Sequence, residues 1–371
     1  MTDKQHIRLS LNEEYSIAVG SQDDINADLK KLAAGFKSAQ ACIAIDANVA
    51  RLQPALLCYV QQLFEQAHIY EVPAGEASKS MGYYSEMLDY FLTCGIDRQT
   101  PLFALGGGVT GDLSGFVAAS LLRGVPLVHV PTTLLAMVDS SIGGKTGINA
   151  STGKNLIGSF YQPAAVLAPL DALSTLPDDE FLCGFGEVLK YGAIADIDIL
   201  NILKGRRLLD LRQNPALLSN IIQRSIKVKA GIVARDTKEA STRMFLNYGH
   251  TFAHAIERIL GYGSVSHGQA VYFGILAANR LSRRFGADLE EELLEQHYKH
   301  MQIPSKILHI SPDELVEAMH SDKKRLDSKL RFVLLKQYGR PYIKTVDEAK
   351  LSSVKESWQQ TVDHAKQLAS A

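Results

Sequence analysis

The sequence lacks an excess of charge of either sign and lacks any long apolar run. Its 371 residues include 39 Lys and Arg against 40 Asp and Glu, which gives a formal net charge of -1. No basic surplus therefore favours nucleic acid or an anionic membrane as a partner. No window approaches the roughly 18 uninterrupted apolar residues of a membrane span. The polar start MTDKQHIRLSLNEEYSI also lacks the apolar core of a signal peptide.

Cysteine is scarce and never paired in sequence. The four cysteines are far apart and form no CxxC motif, which argues against a disulfide framework. They are typical of reduced thiols in a cytoplasmic protein. With 46% hydrophobic residues, the chain has the composition of an ordinary globular protein. We expect a cytoplasmic protein that acts on small molecules, with no nucleic acid and no membrane among its partners.

Short apolar runs alternate with amphipathic segments up to about residue 175. The runs are bounded by Gly, Pro or Asp, as strands commonly are, and they read ACIAID, AHIYEV, TPLFALGGG, VPLVHVPTT and AAVLAPL. Strands and helices in alternation predict a largely parallel sheet with helices packed on it.

The pattern changes at STLPDDEF, where capping residues, Pro177 and three acidic residues suit the start of a helix. Helical periodicity then dominates to about residue 325, followed by a strand in KLRFVLLK and a C-terminal helix. Because no low-complexity linker intervenes, we predict two domains in contact, residues 1–176 and residues 177–371.

A glycine-rich stretch, LFALGGGVTGDLSG, follows one predicted strand and precedes a helix. Gly106, Gly108 and Gly111 have the G-x-G-x-x-G spacing, which lets backbone amides approach a pyrophosphate at a helix N-terminus. A glycine-rich turn without a ligand is the alternative. No acidic residue lies about twenty positions further on, so Asp46 at the end of ACIAID is the candidate partner of a ribose.

The segment DSSIGGKTGINASTGKN fails the Walker A pattern, since Asp139 occupies the place of its first glycine. What remains is a predicted loop that carries Lys145, Lys154 and Asn155 among glycines. Fixed donors of this kind suit phosphate or carboxylate recognition. A solvated surface loop explains the same composition equally well.

Three segments of the helical half offer metal ligands. FGEVLKYG places Glu187 and Lys190 among apolar neighbours, LNYGHTFAHAIE holds His250 and His254 four residues apart, and SVSHGQAV contributes His267. Two imidazoles and one carboxylate, with a coordination position left open, form the ligand set of a catalytic zinc. The set would be Glu187, His250 and His267, with His254 left for proton transfer. An HxxxH helix without any metal is the alternative.

In this order the segments closely resemble the 3-dehydroquinate synthase family of sugar-phosphate cyclases. The resemblance covers almost the whole chain, and its most specific parts are LGGGVTGDLSGFVAASLLRG, VPTTLLAMVDSSIGGKTGIN, GKNLIGSFYQP, FGEVLKYG, NYGHTFAHAIE, HGQAV and DKKRLDSKLRFVLL. It implies an α/β fold with an N-terminal Rossmann-like NAD-binding domain and a C-terminal, mostly helical, metal- and substrate-binding domain. It also implies an active site between the domains, and a homodimer.

The resemblance assigns roles residue by residue. It implies NAD contacts at Asp46, Asn48, Glu76, Lys79, Gly107, Gly108, Asp112, Thr132, Thr133, Asp139, Lys154 and Thr175. The implied ligands of a zinc or cobalt ion are Glu187, His250 and His267. The implied substrate-binding and catalytic residues are Lys145, Asn155, Lys190, Lys229, Arg243, Asn247, His254 and Lys324, with Arg123 reaching the substrate phosphate from a partner subunit.

The implied reaction converts 3-deoxy-D-arabino-heptulosonate 7-phosphate into 3-dehydroquinate and phosphate, a step of the shikimate pathway towards chorismate and the aromatic amino acids. Bound NAD would take a hydride and return it within one turnover, which makes the enzyme a lyase. Three alternatives remain: another cyclase making a valiolone or a deoxy-inosose, a metal-dependent alcohol dehydrogenase, and a non-enzymatic binding protein. The presence of Lys229, Arg243 and Asn247 favours the dehydroquinate type over the other cyclases.

The chain departs from the family pattern at three positions. Gln269 stands where the family commonly has Glu, and Tyr248 and Ala253 stand where it often has Leu and Gly. None is an implied ligand. We expect the loss of the Glu to weaken the hydrogen-bond support of His267.

Overall fold

The computed structural model describes residues 5–9, 15–236, 242–261, 263–322 and 329–370. Its strands are β1 Gln5–Leu9, β2 Tyr15–Gly20, β3 Gln40–Asp46, β4 Gln66–Val72, β5 Leu102–Gly106, β6 Leu127–Pro131, β7 Lys145–Ala150, β8 Gly153–Phe160, β9 Ala165–Pro169, β10 Leu330–Leu335 and β11 Pro341–Val346. Its α-helices are α1 Gln22–Ala33, α2 Ala47–Leu52, α3 Pro54–Gln62, α4 Met81–Thr93, α5 Gly108–Ser120, α6 Asp178–Ile194, α7 Ile197–Leu203, α8 Pro215–Arg235, α9 His250–Leu260, α10 His267–Arg284, α11 Glu292–Glu295, α12 Pro312–Asp322 and α13 Leu351–Ser370.

The chain forms two compact units, and one helix returns to the first of them. The first unit comprises residues 1–177 and 214–234, and the second comprises residues 178–213 and 235–371. The return adds α8 to the strand-rich part, whereas the sequence predicted a single boundary after residue 176. The difference arises because the polar and apolar pattern of α8 predicts a helix but not the surface on which that helix packs.

A seven-stranded sheet organises the first unit, in the order β1-β2-β9-β6-β5-β3-β4. Every neighbouring pair is parallel except β1 with β2 at one edge. The five predicted strands are therefore confirmed as β3, β4, β5, β6 and β9. Alternate side chains of β3 and β5 pack into two apolar clusters, one with α4 and α5 and the other with α1, α2 and α3. Burial on both faces explains why these strands read as continuous apolar runs.

The predicted loop that carries Lys145 and Lys154 is instead an antiparallel hairpin of β7 and β8. Gly147 and Gly158 are directly opposite each other, and a Cβ added at Gly158 would lie 2.0 Å from the main-chain oxygen of Thr146. Because the two backbones approach this closely, glycine is required inside the strands. Glycine within a strand imitates the composition of a loop, which accounts for the wrong prediction.

The second unit is mostly helical, as predicted. Its α10 is buried along nearly its whole length and packs against α6, α9 and α13. Trp358 of α13 makes ring contacts with Phe252 of α9 and Phe273 of α10. The predicted late strand is β10, and it pairs with a second strand, β11, that was not predicted from the sequence. Within the described ranges, no helix combines the length and apolarity needed to cross a membrane.

Candidate active site

Two neighbouring strands of the first unit bring Asp46 and the glycine loop to the same edge of the sheet. β3 ends at Asp46 and is parallel to β5, which ends at Gly106. From β3 the chain runs to β4 on one side and then to β5 on the other, so this is where the strand order reverses. Ligands of open α/β sheets bind at such a switch point, beside the carboxyl ends of the strands. Asp46 itself caps α2 by accepting from the amides of Asn48 and Val49.

The glycine loop leaves the start of α5 accessible to a ligand. Gly107 is the N-cap of α5 and has no side chain that could cap it, so the first amides of this helix can serve an anionic group. Thr132 donates its amide to the oxygen of Gly106 at 3.0 Å. A Cβ at Gly107 would lie 3.0 Å from Cγ2 of Thr133. The structure therefore brings Gly107, Gly108, Thr132 and Thr133 together.

The buried Lys79 forms hydrogen bonds with two other predicted residues. Lys79 donates to Asp112 of α5 at 2.7 Å and also to the side-chain oxygen of Asn155 on β8. Burial raises the pKa of Asp112, and the ammonium of Lys79 opposes this shift. Asn149 of β7 donates to Glu76 at 2.8 Å and accepts from the amide of Asn155 at 2.9 Å. Asn149 was not predicted, because its role depends on the hairpin that the sequence did not reveal.

Lys229 and Asp139 are in contact within the first unit. Asp139 lies in a π-helix, Ala136–Ser140, whose wider turn is closed by the bond from the amide of Ser141 to the oxygen of Ala136. Lys229 is buried on α8, and its Nζ lies 2.6 Å from Oδ1 of Asp139. Single π-turns of this kind are frequent at functional sites.

The remaining predicted residues of the first unit differ in their exposure and in their hydrogen bonds. Thr175 accepts a hydrogen bond from Gln53 at 2.9 Å. Arg123 is exposed and has a φ of 67°, beside Leu122 at 50°. Two consecutive non-glycine residues in the left-handed region are costly, and such strain commonly occurs at functional sites. Lys145 is exposed, whereas Lys154 is half-buried.

The three predicted metal ligands lie together in the second unit. Glu187, His250 and His267 each offer one ligand atom, and these atoms all lie within 4.8 Å of one another. Nε2 of His250 is 3.5 Å and Nε2 of His267 is 3.7 Å from Oε1 of Glu187. A tetrahedral zinc ion with bonds of about 2.1 Å holds its ligand atoms about 3.4 Å apart. The two measured separations from Glu187 are therefore suited to such an ion.

Close helix crossings bring these ligands together, and each crossing has a glycine next to a ligand. A Cβ at Gly268 would lie 1.8 Å from the main-chain oxygen of Cys183, so α10 and α6 are in backbone contact beside Glu187 and His267. A Cβ at Gly274 would lie 2.3 Å from the main-chain oxygen of Gly249, the residue before His250. The dipeptides Gly-Glu, Gly-His and His-Gly are thus a sequence signal for this cluster.

Hydrogen bonds donated by Nδ1 orient both imidazoles. Nδ1 of His250 lies 3.2 Å from the main-chain oxygen of Tyr248, and Nδ1 of His267 lies 3.2 Å from Oε1 of Glu257. A proton held on Nδ1 leaves the lone pair of Nε2 available for a cation, which is the usual arrangement of metal-bound histidine. The donor set and its orientation fit a divalent transition metal.

The buried charges around the cluster affect its two histidines differently. Burial and then the ammonium of Lys190 lower the pKa of His250 well below its ordinary value. Burial also lowers the pKa of His267, but hydrogen bonds to Glu187 and Glu257 outweigh it and raise the pKa to about 10. A proton and a divalent cation therefore compete for Nε2 of His267. Lys190 itself is buried and in contact with Glu187.

The structure describes three of the four other residues that were predicted in the second unit. Arg243 is buried, and its amide donates to Asp236 at 3.0 Å. Asn247 ends a 3-10 helix just before α9. His254 is exposed on α9, its ring centroid 5.6 Å from that of His250. Lys324 lies outside the described residues.

Gln269 does not have the role expected from its position. It caps α10, accepting from the amide of Ser266 at 3.2 Å, and donates to the main-chain oxygen of Gln302 at 2.8 Å. The support of His267 comes instead from Glu257, seven residues after His250. Positions i, i+4 and i+7 of a helix share one face, so the spacing of His250, His254 and Glu257 could have indicated this residue.

The sequence of each half matches a family model. Residues 69–183 match the model described as 3-dehydroquinate synthase N-terminal, and residues 184–325 match the one described as 3-dehydroquinate synthase C-terminal. The chain belongs to the 3-dehydroquinate synthase family. The family resemblance predicted from the sequence is thereby confirmed.

Curated relatives from the 3-dehydroquinate synthase family cover most of the chain. The 3-dehydroquinate synthase of Nitrosospira multiformis is 46% identical over 271 residues, which are 72% of this chain and 74% of the relative. That of Nitrosomonas europaea is 41% identical over 335 residues, 89% of each protein. That of Salinibacter ruber is 42% identical over 312 residues, 83% of this chain and 85% of the relative.

Solved structures of two cyclases share the fold of this 3-dehydroquinate synthase family member. A 2-epi-5-epi-valiolone synthase from Streptomyces hygroscopicus, with NAD+ and Zn2+ bound, has a TM-score of 0.82 at 24% identity, covering 94% of this chain and 97% of that one. A 2-deoxy-scyllo-inosose synthase complexed with carbaglucose-6-phosphate, NAD+ and Co2+ has a TM-score of 0.78 at 24% identity, covering 96% and 99%. At this identity the likeness shows the fold alone.

Proposed function

We propose that this protein is a 3-dehydroquinate synthase, which converts 3-deoxy-D-arabino-heptulosonate 7-phosphate to 3-dehydroquinate and phosphate in the shikimate pathway. The observation that carries the proposal is the cluster of Glu187, His250 and His267, with both imidazoles oriented through Nδ1, in a chain of this family. The enzyme uses NAD and a divalent metal, zinc or cobalt.

NAD binds the first unit in this proposal. Gly107 and Gly108, at the N-terminus of α5 where no side chain caps the helix, would hold its pyrophosphate. Asp46, at the end of β3 beside the switch point of the sheet, would accept a hydrogen bond from its ribose. The further contacts proposed are Asn48, Glu76, Lys79, Asp112, Thr132, Thr133, Asp139, Lys154 and Thr175. When bound, NAD supplies a reversible hydride acceptor, so the net reaction is a lyase reaction.

The metal binds Glu187, His250 and His267. When bound, a divalent cation supplies Lewis-acid polarisation of a substrate hydroxyl. The ammonium of Lys190 contacts Glu187 in the buried helix α6 and offsets part of the carboxylate charge. These three protein ligands would leave a four-coordinate ion one position for the substrate.

The substrate has a carboxylate and a phosphate, and the proposed binding residues are mostly basic. Lys145, Lys229 and Arg243 bind its anionic groups, and Asn155 and Asn247 add directed hydrogen bonds. Fixing a flexible sugar phosphate lowers the entropic barrier to elimination and ring closure. His254 exchanges a proton with a substrate hydroxyl through a ring nitrogen. Lys324 and Arg123 complete the proposed set, Arg123 acting on the phosphate bound by a partner subunit.

This role of Arg123 requires a homodimer, which we include in the proposal. The exposed side chain and left-handed backbone of Arg123 support a function for this residue outside its own unit's core.

The four cysteines are free thiols, which fits a reducing compartment. We therefore infer a cytoplasmic enzyme.

Phosphate release from three substrates offered in parallel tests the function. The purified protein, with NAD and zinc or cobalt, is expected to release phosphate from the heptulosonate phosphate and not from a heptulose phosphate or glucose phosphate. The carboxylate is the group that the other two substrates lack. Release only from the heptulose or glucose phosphate would assign the chain to a valiolone or deoxy-inosose activity and overturn the proposal.

A further inference from the structure

The two histidines of the metal cluster are oriented by acceptors of different kinds. His250 faces a neutral main-chain oxygen, that of Tyr248, whereas His267 faces the carboxylate of Glu257. Both distances are 3.2 Å, so the geometry is similar and the charge differs. Glu257 is buried, which strengthens its electrostatic effect on the imidazole.

We propose that Glu257 is a positioning residue of the metal centre, which fixes the ring of His267 and increases the affinity of its Nε2 for a divalent cation. The inference rests on the proposed function, since it assigns a role towards the metal bound there. A carboxylate that accepts from Nδ1–H makes the opposite nitrogen a stronger ligand and restrains rotation of the ring.

The position of Glu257 within α9 supports this role. The helix begins at His250, and Glu257 follows two turns later on the same face. One rigid helix thus supplies both a metal ligand and the carboxylate that orients a second ligand on α10. His267 is the first residue of α10, so only the chain that follows it is helical. The hydrogen bond to Glu257 of α9 therefore adds a restraint on the His267 ring that α10 alone does not supply.

Gln269 provides a matched comparison. It is two residues from His267, but its side chain caps α10 and contacts the main-chain oxygens of Met301 and Gln302. A Glu at this position keeps the acceptor for the amide of Ser266 and loses only the bonds donated to Met301 and Gln302, neither of which involves His267. The change Gln269→Glu is therefore expected to leave metal affinity unchanged within about twofold, well below the effect of losing a residue that orients a ligand.

The test is a competition titration of the full-length protein with zinc and with cobalt against a chromophoric chelator. The variants are Glu257→Gln, Glu257→Ala and Gln269→Glu. We expect an affinity about tenfold weaker for Glu257→Gln, which keeps an acceptor but loses the charge, and up to about 100-fold weaker for Glu257→Ala. The visible absorption of bound cobalt should shift in both Glu257 variants and not in Gln269→Glu, because only the Glu257 variants alter the orientation of a ligand.

Thermal melting without metal shows which variants are folded. If Glu257→Ala does not fold, Glu257→Gln carries the test, because the two side chains have nearly the same shape. A wild type that binds one ion, with Glu257→Gln unchanged in both affinity and spectrum, overturns this inference and leaves the proposed function intact. A wild type that binds no divalent ion overturns both.

Discussion

Lys229 donates to Asp139 twice, to the carboxylate at 2.6 Å and to the main-chain oxygen at 2.5 Å. The second bond reaches a main-chain oxygen of the π-helix, where the backbone bonds span five residues in place of four. The ammonium of Lys229 is thereby held in place before any ligand binds. Preorganised cations bind anionic groups with less loss of entropy than mobile ones.

Replacing Lys229 tests whether this ammonium binds the substrate. Lys229→Met should lower kcat/KM for phosphate release about 100-fold or more, since removing a buried charged contact costs on the order of 3 kcal/mol. The control is Lys227→Met, because Lys227 is exposed on the same helix and should change kcat/KM less than about twofold. A Lys229→Met enzyme with nearly normal kcat/KM would exclude this residue from the substrate site.

The two histidines of α9 should separate metal binding from turnover. His250→Ala removes a proposed ligand and should leave the purified protein without bound metal. His254→Ala should keep a full complement of metal and lose activity, because His254 is exposed beside the cluster and serves proton transfer. Elemental analysis of each variant, alongside the phosphate-release assay, measures both effects. Undiminished metal in His250→Ala would show that the ligand assignment is wrong.

The strand order of the first unit could not be read from the sequence, although the strands themselves could. Strands such as ACIAID are buried on both faces, so their apolar runs were unmistakable. The β7–β8 hairpin was missed because its strands contain glycines at the points of closest approach. The packing of α8 with the first unit depends on long-range contacts, which the periodicity of one helix does not encode.

The metal cluster was predicted from donor types and from the family resemblance, because Glu187, His250 and His267 are far apart in sequence. The structure supplies the physical reason for their meeting, which is the close crossing of α6, α9 and α10 at glycines. The sequence does not predict the role of Glu257, because that role depends on the orientation of His267, which is ten residues away in sequence, whereas Gln269 is only two residues away.

The glycine crossing gives a prediction about stability. In Gly268→Ala the new methyl group would overlap the main-chain oxygen of Cys183, and the two helices would have to separate. We expect a loss of about 3 kcal/mol or more in the free energy of unfolding, together with weaker metal binding. Gly82→Ala on α4 is the control, since its Cβ would have no neighbour nearer than 3.8 Å. Urea denaturation gives the free energy of unfolding of each variant. Equal stability of Gly268→Ala and Gly82→Ala would refute the role of the crossing.

Acid should destabilise the protein through His297. This side chain is fully buried, and neither of its ring nitrogens has a hydrogen-bond partner among the described residues. Burial, and then the neighbouring His300, lower its pKa to about 4. Between about pH 6.5 and pH 4 the unfolded chain binds a proton that the folded chain does not, so stability falls as the pH falls through this window.

His297 should lower the free energy of unfolding by about 2 kcal/mol at about pH 5 relative to neutral pH. In His297→Leu, the difference in unfolding free energy between the two pH values should shrink by that amount. His309→Leu, at an exposed position, is the control and should keep the full difference. An unaltered pH dependence in His297→Leu would mean that this histidine does not titrate as its burial implies.

The proposed reaction returns its hydride within each turnover, and one experiment examines this directly. Phosphate release and NADH absorbance are followed together in one cuvette that holds far less NAD than heptulosonate phosphate. The proposed function predicts many phosphates released per NAD, 3-dehydroquinate as the product, and no accumulation of NADH. One NADH formed for each substrate consumed, with release ending when NAD is exhausted, would contradict it and identify a dehydrogenase.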